Sequence, residues 1–128
     1  MSGARQALGL HGEALAEQRL RRHGYRLLER RYRSRHGEID LIMEDGDVVV
    51  FVEVKTRSGS GFGGAEAVSP GKIARIVRVA AGYLARRGWF ERLARFDVVE
   101  ILETGGEIQF RHLADAFRPP AGRRRGRR

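Results

Sequence analysis

The stretch Gly37-Glu-Ile-Asp-Leu-Ile-Met-Glu-Asp-Gly-Asp-Val-Val-Val-Phe-Val-Glu-Val-Lys-Thr-Arg57 decides the fold. Two runs rich in aliphatic and β-branched residues flank a Glu-Asp-Gly turn signal, the pattern of an antiparallel hairpin. The second run is apolar on both alternating faces, which marks a central strand covered on both sides rather than a half-wet edge. A further run at 25–33 ends in Arg-His-Gly, so 25–33, 37–44 and 47–56 are predicted to form three antiparallel strands.

Outward from this hairpin, Leu8, Leu15 and Leu20, with Ala14 and Ala16 between them, recur at helical spacing up to Gly24 and predict a helix over about 8–23. Residues 57–68 carry four glycines and no periodicity, and read as a mobile loop. Ser69-Pro70 supplies an N-cap and a first-turn proline, and Ile73, Ile76, Val77, Ala80 and Leu84 then follow on one helical face. Trp89 and Phe90 after Gly88 read as core aromatics rather than base-stacking platforms. Strands at 96–102 and 107–112, joined by Thr-Gly-Gly, complete an α-β-β-β-α-β-β order. The fold class is therefore α/β.

The 128 residues suit one domain, taken as 1–118, followed by a disordered Arg-rich tail at 119–128. With no cysteine, disulfide frameworks, zinc ribbons and thiol nucleophiles are excluded, and a cytoplasmic location is expected. The longest hydrophobic run, 48–52, is five residues where a membrane span needs about twenty. No membrane partner is expected, and the N-terminus lacks the apolar region of a secretory signal. Of 25 basic residues only Lys55 and Lys72 are lysine, and the net charge is +9. Removing the five arginines of the tail (Arg123, Arg124, Arg125, Arg127, Arg128) leaves 20 basic against 16 acidic residues. Arginine forks suit phosphate oxygens, so a nucleic acid is a plausible partner, although a solvated basic surface accounts for the charge equally well.

Acidic residues interrupt strands that otherwise read as core. Alternation puts Glu38 and Asp40 on the face of Ile42, with Ile39, Leu41 and Met43 on the other, and puts Glu53 and Lys55 on the face of Val49 and Phe51. Ionised groups at the end of a buried strand are costly unless paired or metal-bound. Oxygen ligands from Asp40 and Glu53 suit Mg²⁺ or Mn²⁺, with Lys55 orienting or deprotonating a water. A plain Glu53–Lys55 ion pair is the competing reading.

Gly37-Glu-Ile-Asp-Leu-Ile42 followed by Phe51-Val-Glu-Val-Lys-Thr-Arg57 resembles the bacterial YraN family, whose pattern is that of the PD-(D/E)xK nuclease superfamily. Gly12-Glu13 with Ala16, Gly24-Tyr25, Lys72 and Arg95-Phe-Asp-Val-Val99 extend the likeness over nearly the whole chain. The resemblance implies a restriction-endonuclease-like αβββαβ core with a mixed sheet flanked by helices, shared with archaeal Holliday-junction resolvases. It implies metal binding by Asp40, Glu53 and, as in the resolvase branch, Glu13, with catalysis by Asp40, Glu53 and Lys55. For Glu13, an exposed acid in the first turns of a helix is the competing reading. Glu38-Ile39 stands where the superfamily has Pro-Asp, and leaves the role of Glu38 open.

The expected function is thus a metal-dependent endonuclease acting on structured or branched DNA, with nucleic-acid contacts from Arg57, Lys72, Arg123, Arg124 and Arg125 and a possible homodimer. A nucleic-acid-binding module without efficient catalysis and a basic RNA- or ribosome-associated protein are the alternatives. His11, His23, His36 and His112 lack metal-cluster spacing, His36 reads as a turn histidine, and the glycines at 59–64 are no phosphate-binding loop.

Overall fold

A computed structural model describes residues 2–59, 61 and 68–118. The loop expected at 57–68 falls mostly outside the described residues, as does the whole of 119–128. The elements are α1 (Ser2–Arg22), β1 (Arg26–Ser34), β2 (Gly37–Asp45), β3 (Val48–Ser58), α2 (Pro70–Arg87), β4 (Ala94–Thr104) and β5 (Glu107–Phe117). They form one five-stranded sheet in the order β1-β2-β3-β4-β5. Neighbours are antiparallel except β3 and β4, which run parallel in unbroken register from Val49↔Ala94 to Ser58↔Glu103. A parallel pair needs a crossover connection, and α2 provides it. The order and mixed sheet agree with the expected α/β class and its αβββαβ core.

The doubly apolar β3 is explained by a core on each face. On one, Val49, Phe51, Phe96 and Val98 pack under Ile76, Val79, Ala80 and Tyr83 of α2. On the other, Leu41, Val50, Val52 and Val99 pack under Ala16 and Leu20 of α1. At α2 the Ser69 side chain accepts from the Lys72 N–H at 3.2 Å, and Gly88 ends the helix in the left-handed region at φ 72°. Such a C-terminal conformation is cheap only for glycine.

α1 begins at Ser2, several residues before the predicted start, because Ala4, Arg5, Gln6 and Ala7 are good helix formers ahead of the first apolar repeat. Glu13 therefore lies in mid-helix, and the reading of it as a first-turn dipole acid does not hold. The helix lies close over the sheet at Gly12, where a Cβ would stand 2.1 Å from Cγ2 of Thr56. Glu17 fastens it to β1, bonded by Arg30 Nε at 2.7 Å and Arg30 Nη2 at 3.0 Å, with Arg21 at 2.8 Å.

Two readings of faces and burial need correction. Ile39 joins Ile42 on the α2 side instead of sharing a face with Leu41 and Met43. The strand pair is irregular there: Arg30↔Leu41 and Tyr32↔Ile39 are partners, Arg31 and Asp40 are not, and Arg31 has φ 50°. The aromatic pair also divides. Trp89 packs against the core under Arg87 and Arg92, whereas Phe90 is 78% exposed. No described helix is long and apolar enough to cross a membrane.

Candidate active site

Strands β2 and β3 pair from Asp45↔Val48 to Leu41↔Val52 and no further. Beyond that point the Asp40 side chain takes over the role of a backbone acceptor, Oδ2 receiving the Val54 N–H at 2.8 Å. The parting of two strands thus half-buries a carboxylate at the edge of the core and fixes its direction. Glu53, one residue before Val54, is only 5% exposed. Its Oε2 lies 2.5 Å from Nζ of Lys72, two residues into α2 from Pro70.

Glu13 reaches the same place from α1, and the close approach at Gly12 is what lets it do so. The groups acting on its carboxyl are Arg31, Asp40, Glu38 and Glu53. Burial raises the Glu13 pKa, against the pull of Arg31, whose Nε is 3.8 Å from Oε1. Burial first and Glu53 second push Asp40 up to about 8, outweighing the Val54 N–H and Lys72. An Asp at that value carries its proton at neutral pH.

The sequence-predicted residues divide as follows. Asp40, Glu53 and Glu13 come together, and Lys72, expected on nucleic acid, is the cation among them. The alternative Glu53–Lys55 ion pair is not formed, because Glu53 is taken by Lys72. Lys55 is half-buried in register with Glu100, on the strand face it shares with Glu53. Arg57 is turned inward as well, its Nε 3.9 Å from Oε2 of Glu100. Arg123, Arg124 and Arg125 lie outside the described residues.

One residue of the cluster and two buried acids of β4 beyond it escaped the sequence reading. Arg31, left-handed opposite Asp40, sits between Glu13 and Glu38, its Nε 3.5 Å from Oε2 of the latter. Nothing local in sequence announces this. Glu100 is fully buried near Arg57 and Arg111, and Asp97 is fully buried against Arg95, His112 and the Asp115 N–H. Both acids interrupt an apolar strand, the signal used for Asp40 and Glu53 and not applied to β4. Burial alone would raise the Asp97 pKa, but the bonds from His112 and Arg95 hold it below the usual carboxylate range.

The donor chemistry fits a hard divalent cation, since three carboxylates converge with no thiolate or imidazole among them. As they lie, no three acidic or imidazole groups among the described residues are arranged to hold an ion, and Lys72 supplies the counter-charge on Glu53.

The molecule is thus an α/β protein of two helices on a mixed sheet, with an acidic cluster where two strands part. The sequence model of "Uncharacterised protein family UPF0102" matches residues 12–101, and the chain belongs to this family. It is the YraN family that the motifs resemble. A UPF0102 protein of Bordetella avium is 52% identical over 91% of this chain and 79% of its own. One from Syntrophomonas wolfei is 47% identical over 86% and 96%, and one from Rhodococcus jostii 48% over 87% and 96%.

Proposed function

We propose that the protein is a metal-dependent endonuclease that hydrolyses phosphodiester bonds of structured or branched DNA. The convergence of Asp40, Glu53 and Glu13 where β2 and β3 part carries this reading. Asp40, Glu53 and Glu13 would hold Mg²⁺ or Mn²⁺, which supplies charge neutralisation at the phosphoryl group and an acidified water. The Val54 N–H keeps Asp40 aimed while its proton leaves. Binding of a metal by Glu53 would compete with its ion pair to Lys72. Lys55, on the same strand face, orients the attacking water or takes its proton.

Cleavage of a labelled four-way junction and of linear duplex, with Mn²⁺, tests this. Asp40→Asn and Lys55→Ala should each lower the rate by about 10²-fold or more, with duplex affinity retained. Cleavage by both variants at the parental rate would overturn the assignment. A second reading, a nucleic-acid-binding module without catalysis, is favoured by the Lys72–Glu53 ion pair, which satisfies Glu53 without any metal. It predicts junction binding by the parent protein, no cleavage with either metal, and Mn²⁺-independent melting.

A further inference from the structure

The groove between the β1–β2 hairpin and the C-terminal half of α2 is far from neutral. Its volume is about 800 Å³, and Arg33, Arg35, His36, Arg78 and Arg86 line it. No carboxylate lines it among the described residues. Glu38 holds Arg33 at 3.2 Å and the Tyr32 hydroxyl holds Arg86 at 3.1 Å, which fixes two of the guanidinium groups at the rim. Arg35 and Arg78 are exposed and make no ion pair among the described residues. Four arginines so concentrated repel one another, and an anion relieves that repulsion.

We infer that this groove is a binding surface for the phosphodiester backbone of a nucleic-acid duplex. The inference deepens the hydrolase reading and relies on it only for the identity of the polymer. The spacing along α2 selects an extended polyanion over a single small phosphate. Arg78 and Arg86 lie eight residues apart on α2, roughly 12 Å along its axis, which is the rise of about three to four base pairs. Between them lie Ala81 and Gly82, whose small size leaves room for the Arg86 guanidinium to reach back along the helix over Gly82. The groove and the acidic cluster also share α2, whose C-terminal half lines the one and whose first turn brings Lys72 to Glu53 in the other.

Of the two rings lining the groove, Tyr32 and His36, the Tyr32 ring is already engaged by Tyr83 at 5.0 Å and Arg86 at 5.8 Å. The Tyr32 ring therefore has no free face for a base, and the guanidinium forks match phosphate oxygens bidentately.

The test uses the full chain with a double change, Arg35→Ala with Arg78→Ala, beside a charge-matched control, Arg22→Ala with Arg118→Ala. Fluorescence anisotropy with labelled DNA and RNA duplexes, in EDTA across a salt series, gives log affinity against log salt. The groove pair should lower the slope by about 2, at roughly 0.9 per phosphate contact, and the control pair should lower it by less than half as much. The two duplex arms decide which nucleic acid is held. Equal slopes for the groove and control pairs, or complete displacement of duplex by millimolar inorganic phosphate, would overturn the inference. So would the absence of binding to either duplex. A parent protein that binds with a groove-dependent slope yet cuts nothing under Mn²⁺ would remove the hydrolase reading and leave the groove standing. Cleavage by a parent whose groove variant binds like the control would do the opposite.

Discussion

Asp40 is a half-buried acid, desolvated and facing Glu53, whose pKa has risen to about 8 from an ordinary value of 3.8. Between those values the native state keeps a proton that the unfolded chain has lost. Stability of the metal-free protein therefore falls as pH rises through this window, and the penalty is complete above about 8. Asn at this position still offers Oδ1 to the Val54 N–H and cannot ionise. Asp40→Asn should match the parent near pH 4 and exceed it at pH 8 by roughly 3 to 5 kcal/mol. Urea unfolding across pH measures the difference, and parallel curves for the two proteins would show that Asp40 is not a desolvated, protonated acid. Asp97 is the opposite case. Its depressed pKa adds stability above its unfolded value, lost as pH falls through the folded one.

At the scale of elements, the seating of α1 on β3 governs whether Glu13 can belong to the site. The helix passes so close at Gly12 that a methyl group there would overlap Cγ2 of Thr56 at 2.1 Å. Replacing Gly by Ala inside a helix normally gains about 0.5 to 1 kcal/mol. Here overpacking of about 1 to 3 kcal/mol opposes it, so Gly12→Ala should destabilise overall and move Glu13 away from Asp40. Thr56→Ser deletes the obstructing methyl, and the double variant should recover most of the lost stability. Denaturant midpoints of the four proteins form the cycle. A single Gly12→Ala variant as stable as the parent would mean that the helix is not seated this closely. The α2 connection has no such tension. Its cap, its first-turn proline and its apolar face act together, and its first turn brings Lys72 to Glu53.

Across the whole molecule, the acidic cluster and the basic groove flank α2 and together give the charge a direction. Clustered carboxylates repel in the absence of a cation, so a divalent ion that binds only the folded chain stabilises it by mass action. At 100 times its Kd the gain is about 2.7 kcal/mol, which shifts Tm by several degrees in a domain of this size. Calorimetry or dye-free thermal unfolding with millimolar Mn²⁺ should show that rise in the parent and little of it in Asp40→Asn. Because the ion must displace the Asp40 proton, the rise should grow from pH 6 to pH 8. A parental Tm indifferent to Mn²⁺ would count against the metal assignment while leaving the groove untouched.

The sequence by itself determined the order of elements, the bounds of α2, the central place of β3 and the candidacy of Asp40 and Glu53. These rest on local physics: a cap, a proline, a period of two or of 3.6, and charge set into an apolar run. The outer residues of β4 and β5 escaped it: pairing continues past the apolar run of β4 to Thr104↔Glu107, and β5 runs on beyond 112 to Phe117, which stacks on Phe96. Only the tertiary structure decided that Lys72 and not Lys55 would meet Glu53, that Arg31 would turn left-handed between Glu13 and Glu38, and that Ile39 would change faces. It also gathered Arg33, Arg35, Arg78 and Arg86 into one groove. The residues that meet in each case lie on different elements, and their distances depend on how strands diverge and how closely a helix is seated. No pattern of neighbours along the chain encodes that separation.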